Sequence, residues 1–380
     1  MNTHRQLVVI AVMFLVTAGT SHVHSAPSRA LPADTPNEVR AEIDHLFAKD
    51  SLTRGYAACN LSLMGPKAGA AVPMLAGMLD DHETFKWPVV DKPGVSVGRD
   101  CAGHAVDPST PADQASAALL AIGEPAVLPL IQKLTDGSAR VRAHAVYVLS
   151  RISDPRAIEP LIAAFADRDA EVRSVAARWI RYTDPRMLDP YIAALKDSDP
   201  VIRRFAVSAL GRFKEPRAVQ ALISTLTDTD TDVRWFSLLA LSAMKDPAAM
   251  PAVLPVVKAV LPALKDESRV VRSHAAYTLG VLGQMEAFEP LLLTATTDPD
   301  QAPRYVAWEA LAALGNARAA EPLIAALASK DSMERSHAAK ALGTLRDPRA
   351  IEPLKALLND EERWLRRDAE AALKAIAGEP

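Results

Sequence analysis

The chain has 380 residues, is nearly half apolar and only 5% aromatic, and contains 28 prolines and two cysteines. Its 43 basic and 46 acidic side chains leave a formal charge of −3, so no global field gathers nucleic acid or anionic membrane. The balance suits a soluble helical array.

Residues 1–26 place His4 and Arg5 before an apolar run over 7–18 and a polar stretch ending at Ser25-Ala26-Pro27. The run is short for a membrane span and reads as a cleaved secretory signal. Val23 and Ser25 suit the small-residue cleavage rule, and no cysteine follows to carry a lipid. An uncleaved anchor is the alternative. The expectation is export to a periplasm or the cell exterior, with no stable membrane insertion after cleavage. Residues 27–36, with Pro27, Pro32 and Pro36, read as a flexible leader.

From residue 37 to 377 the chain repeats. The octapeptide Asp-Pro-Arg-Ala-Ile-Glu-Pro-Leu at 154–161 returns unchanged at 347–354, and looser copies begin at Asp184, Glu215, Asp246, Gln284 and Asn316. Starts fall about 30 residues apart, the signature of a stacked array. Within one unit, Ile158, Leu161, Ile162 and Phe165 recur at helical spacing and predict a first helix over about 157–166. Asp154 and Pro155 form a start signal, and Pro160 must lie in the first turn. Asp169 then caps a second helix running to about 181, with Val172, Ala176 and Ile180 inward.

An arginine fixes the register of each second helix: Arg54, Arg142, Arg173, Arg203, Arg234, Arg272, Arg304, Arg335 and Arg366. Three residues later stands Ala or Ser, and seven later Leu or Ile. Four earlier stands Asp50, Ser138, Asp169, Asp199, Asp230, Ser268, Asp300, Asp331 or Glu362, each read as a cap. Each arginine is free to bond a capping Asp of its own or a neighbouring unit. A tenth unit carries Gln114 in place of the arginine, followed by Ala117 and Ala121.

These residues resemble the HEAT-repeat family, in particular its short bacterial form first noted in bilin lyases, with an Asp-Pro-Arg-Ala-(Ile/Val)-x-Pro-Leu opening and a Val-Arg-x-x-Ala-Ala-x-x-Leu second helix. The resemblance implies an all-α fold, a right-handed α-solenoid of about ten hairpin repeats with second helices on the concave side. Family members that hydroxylate deoxyhypusine hold two irons with repeated His-Glu pairs. Here His144, His274 and His337 are each followed by Ala, so that set is absent and no cofactor is expected. The DNA-glycosylase relatives line a groove with basic side chains, which the charge balance here does not suggest. Bilin lyases act on a cytoplasmic pigment protein, which fits an export signal badly.

The period is interrupted at about 81–111, a loop rich in Pro and Gly, and such loops are often functional. It holds His82, Glu83, Asp91, Asp100, Cys101, His104 and Asp107. Cys101-x-x-His104 with His82-Glu83 has metal-ligand spacing. The competing reading pairs Cys59 with Cys101 as a disulfide in an oxidising compartment, Cys59 being expected to look outward at the rim of the groove; free thiols are the third. Positions one, two and five after the arginine lie off the core face. They carry His144, Tyr147, Arg178, Arg204, Phe205, Trp235, Phe236, His274, Tyr277, Tyr305 and His337. Aromatics with arginine mark binding hot spots, although each ring is also able to pack between adjacent helices. The sequence therefore predicts an exported scaffold that binds a protein or peptide along the concave face, and not nucleic acid. The alternative is a lyase-like or metal-assisted enzyme sited between loop and groove.

Overall fold

A computed structural model gives the structure of residues 31–86, 109–180, 185–213, 215–244 and 253–378. The expected signal segment and most of the loop, including Asp91, Asp100, Cys101, His104 and Asp107, lie outside these residues. Among the described residues no helix is long and apolar enough to cross a membrane. The described part of the expected leader folds onto the first unit: Arg40 donates to the carbonyls of Thr35 (3.0 Å) and Pro32 (2.5 Å).

Among the described residues the array is all-helical, an α-solenoid of ten hairpins. Its second helices are Ser51–Met64, Pro111–Ile122, Ala139–Ile152, Ala170–Trp179, Pro200–Leu210, Thr231–Ala243, Arg269–Leu282, Gln301–Ala313, Ser332–Leu345 and Arg363–Ala377. Consecutive second helices touch along their lengths, whereas consecutive first helices touch sparsely. The tighter layer of a curved stack is its inner one, so the second helices form the inner face.

The octapeptide has a mechanical explanation. Asp154 caps the turn Pro155–Ala157 by accepting from the Arg156 amide at 2.9 Å, and the helix Ile158–Ala164 follows with Pro160 in its first turn. Ala157, Ile158 and Leu161 are buried. Arg156 holds Asp154 and reaches back to Glu124 of the preceding unit at 2.7 Å. Arg318–Glu289 and Arg349–Glu321 repeat that reach. These pairs are exposed and individually worth only ~0–1 kcal/mol.

The inner helices carry a different ladder. Arg173 makes a two-pronged bond to Asp197 of the next unit at 2.6 and 3.1 Å, while its Nη1 donates to the carbonyls of Asp167 and Arg168 in its own turn. Arg142–Asp167, Arg203–Asp228, Arg234–Asp266 and Arg272–Asp298 repeat this arrangement, and Arg54 and Arg335 make the same reach to Asp81 and Asp360. Except at Asp81, the acceptor stands two residues before the expected cap, which corrects the expected pairing. Six residues before the arginine the chain turns, and there the carboxylate also accepts the amide two residues on, as Asp197 does from Asp199 at 2.9 Å. The caps proper remain: Asp50, Asp169, Asp199, Asp230 and Asp331 each accept an amide of the helix they start. Ser138, Ser268, Asp300 and Glu362 make no such bond. Asp300 instead accepts from Arg272 at 2.6 Å.

The core follows the predicted register. Ala57, Ala145, Ala176, Ala206, Ala275, Ala307 and Ala338 are buried three residues after their arginines, as are the leucines seven after. Small residues let the backbones close up. A Cβ added at Gly280 would lie 2.9 Å from the Ala310 Cα, and one at Gly343 equally close to that of Ala372.

The loop at 81–111 does not interrupt the stack. It lies between the two helices of the second unit, whose first helix runs through Val72–Gly77. Phe85 and Ser109 form an isolated antiparallel bridge that brings its ends together. The Phe85 ring lies where a Gly55 side chain would be, 2.3 Å from the ideal Cβ. Cys59, one turn on from Gly55, is accordingly buried at 2% exposure rather than facing outward.

Breaking one rung strands a largely enclosed carboxylate, here Asp266 at 13% side-chain exposure. Arg234→Met is therefore expected to cost about 3–5 kcal/mol, read by denaturant unfolding, whereas Arg349→Met on the outer ladder is expected to cost no more than about 1 kcal/mol. Gly280→Ala is expected to destabilise by about 1–3 kcal/mol despite its better helix propensity, because the obstacle is backbone. The rungs also titrate. The Arg173 hydrogen bond holds the Asp197 carboxyl below its ordinary value. A depressed folded pKa gives stability that is full above the unfolded value and fades as pH falls through the folded one. Melting temperature is thus expected to drop as pH falls below about 4, and by less in Asp197→Asn, which has lost the rung already.

Candidate binding face

An α-helix advances ~100° per residue, so positions two before, two after and five after the arginine share the face opposite the core. The structure places there most of the residues singled out above and joins them into a row. Tyr147 meets Trp179 edge-on at 5.1 Å. The Arg178 guanidinium lies 5.2 Å from the Trp179 ring and 5.8 Å from Phe205. Arg204 lies 5.9 Å from Phe205 and 5.8 Å from Phe236. Phe236 stacks with Trp235, and Trp235 lies 4.9 Å from His274. Farther on, Tyr305 stacks with His337 at 4.7 Å.

The rings are half-buried in the seams between second helices, and polar partners fix them. Arg204 pairs with Asp232 at 3.0 Å, and the Trp235 indole donates to the same carboxylate at 2.9 Å. The Tyr305 hydroxyl donates to Asp331, and burial with that neighbouring charge pushes its pKa up. His337 bonds Glu309 at 2.8 Å, which holds the Glu309 carboxyl below its usual range. His274 Nδ1 bonds the Val270 carbonyl at 2.8 Å. Packing between helices therefore accounts for much of the aromatic row. What it leaves for a partner is Arg178, which is exposed, and Tyr277, half exposed at 50%.

Sequence reasoning missed the position two before the arginine. Val201, Val270 and Met333 stand there, and with Leu239 and Tyr277 at the fifth position after it they are exposed large apolar side chains on this face. The signal was present: an apolar residue at a register position where other units hold Arg140, Glu171 or Asp232. Trp179, six after Arg173, was missed as well, because it lies between the core and the face.

At the array's start the row meets the loop. His82 stacks on His144 with ring centroids 5.6 Å apart. Glu83 and Asp81 both bind Arg54, at 2.7 and 2.5 Å, so the Glu83 side chain serves the ladder. No group of three or more His, Cys, Asp or Glu gathers as a metal site among the described residues. Thr110 and Asp113 cap the helix Pro111–Ile122 reciprocally. Beside them opens a cleft of about 950 Å³ lined by Gln114, Ser116, His144, Tyr147 and Trp179.

The exposed and the packed parts of the row are expected to separate in a melt. Trp235→Ala removes packed area and the Asp232 bond and is expected to cost about 3 kcal/mol. Tyr277→Ala and Arg178→Glu are expected to stay within about 0.5 kcal/mol.

A family profile described as HEAT repeats matches residues 105–181, 188–259 and 288–374. No curated protein sequence matches. Among solved structures the chain is similar to an engineered protein, at 20% identity, covering 91% of this chain and 100% of that one, with a TM-score of 0.46. It is similar to human deoxyhypusine hydroxylase in complex with glycerol, at 26% identity, covering 67% and 96%, with a TM-score of 0.30. It is also similar to the complex of CpcE and CpcF of phycocyanin lyase from Nostoc sp., at 26% identity, covering 58% and 86%, with a TM-score of 0.36.

Proposed function

Given that the chain belongs to the HEAT-repeat family, whose repeats suggest a protein-interaction scaffold, we propose that it is an exported scaffold binding a protein or peptide along its inner face. One observation carries the reading. Exposed large apolar side chains recur on the inner helices, Val201 on the fifth, Leu239 on the sixth, Val270 and Tyr277 on the seventh and Met333 on the ninth, with Arg178 exposed on the fourth. Exposed apolar surface on a rigid support marks interaction sites. The ladder beneath keeps that surface preformed, so a partner need not order it on binding.

Export rests on the residues 1–26 pattern alone. In an oxidising compartment Cys59 and Cys101 form a disulfide under this reading, tying the loop to the first inner helix. A loop of roughly 40 residues closed in this way is stabilised by about 3–4 kcal/mol in the chain-entropy description. The burial of Cys59 next to the seat of Phe85 supports that anchorage.

The combined variant Arg178→Glu, Leu239→Ser, Tyr277→Ala tests the binding face without truncating Trp179, Phe205, Trp235 or Phe236. Pull-downs from the exported fraction are expected to yield one partner with the natural protein and to lose it with this variant at unchanged melting temperature. Retention of the partner contradicts the reading. A bound metal or chromophore, with no partner, points instead to a lyase-like or metal-assisted enzyme beside the loop.

A further inference from the structure

The cleft beside the loop is built unlike the rest of the inner face. Its unit is the one in which Gln114 replaces the ladder arginine, so the spot where other units place a guanidinium bonded to a carboxylate of the next unit holds an amide. Gln114 is only 4% exposed. Its Nε2 donates to the Ser109 hydroxyl at 2.9 Å, and its Oε1 is buried with no partner. Turning the amide over would only transfer the deficit to Nε2. A buried polar atom left unpaired costs about 1–3 kcal/mol, and such atoms call for an explanation.

A second acceptor faces the same space. Ser116 has one hydroxyl proton, which it donates to the Ala112 carbonyl at 2.9 Å. The 2.9 Å contact between Ser116 Oγ and His144 Nδ1 must then be a bond donated by the imidazole. His144 is thereby fixed as the Nδ1–H tautomer, with its Nε2 lone pair uncommitted. Burial holds its pKa down, against the opposing charge of Asp113, which favours the neutral ring. Tyr147 and Trp179 wall the cleft with their mutual edge contact, and Leu120 and Val175 add apolar surface. A volume of about 950 Å³ lies within the ~300–1,000 Å³ range of ligand clefts.

Two uncommitted polar atoms among aromatic and aliphatic walls specify an amphipathic ligand. We propose that this cleft binds an aromatic ring bearing a hydrogen-bond donor, an indole above all, with the ring against Tyr147 and Trp179 and the donor on His144 Nε2 or Gln114 Oε1. An indole or phenol has the one apolar body and one polar tip that such a site satisfies. The proposal stands apart from the inner-face reading, because small probes report on the cleft alone.

Isothermal titration of the full chain with N-acetyl-tryptophanamide, free indole and N-acetyl-leucinamide tests it. The indole probes are expected to saturate and to bind at least about tenfold tighter than the leucine compound, which lacks the ring N–H. Gln114→Leu and His144→Phe are each expected to weaken indole binding by about tenfold, one hydrogen bond's worth. Gln114→Leu removes the unpaired atom, so the melting temperature is expected to hold or rise. In the unaltered protein, the His144 Nε2 nitrogen resonance is expected to shift as an indole probe saturates. Free indole binding as tightly as the amide assigns the site to a small aromatic molecule; a tighter amide assigns it to a tryptophan of a peptide. No saturable binding of either indole probe, or binding unchanged in both variants with the resonance unmoved, overturns the proposal.

Discussion

The arginine that reaches from an inner helix to the turn of the next unit is the interaction on which the rest depends. A guanidinium has five N–H donors in a fixed plane, and here one edge takes a carboxylate of the next unit while Nη1 takes two carbonyls of its own turn. Three segments are thereby set relative to one another by a single side chain. The pairs are largely buried, with side-chain exposures of 9% and 5% for Arg272 and Asp298, so their worth lies in geometry and in the cost of breaking them more than in net attraction. Lysine, with a point charge and no fork, has no equivalent bond to offer.

The two places where the ladder departs from its pattern are informative. Gln114 replaces an arginine in the second unit, where it lines a cleft with its amide oxygen unpaired. At the ninth unit Ser329 stands where an aspartate is expected, and Glu334 fills in at 3.9 Å from Arg304 while bonding the Ser329 hydroxyl at 2.7 Å. The first departure leaves polar atoms without partners, and the second supplies a substitute from the same chain. That contrast sets the proposed ligand cleft at Gln114 and not at Arg304.

Most of the fold was legible in the sequence because a repeat presents the same evidence many times. The arginine, the small residue three later and the leucine seven later fixed helix, face and register together, and in the structure those alanines and leucines are buried. The acceptor of the ladder was misplaced by two residues because an aspartate before a helix has two uses. Asp199 caps by accepting the Val201 amide, while Asp197 takes Arg173, and only the position of the neighbouring unit distinguishes them. Cys59 was misjudged because nothing in one helix reveals that Phe85 crosses over Gly55. The candidate site was half legible. Position relative to the arginine identified the inner face, but whether Trp235 or Tyr277 is free for a partner depends on side chains some 30 or more residues away. Apolar residues two before the arginine, such as Val270 and Met333, lay outside the positions considered.

The account's central claim is that the inner face, and not the outer one, receives the partner. Hydroxyl-radical footprinting of the protein with and without its captured partner tests this directly, since large exposed apolar side chains mark both faces. The account predicts protection of Tyr277, Leu239 and Met333 on the inner helices, with Leu128, Met285 and Leu293 on the outer side unchanged. Protection of Leu128, Met285 and Leu293 with Tyr277 and Met333 still reactive would contradict it.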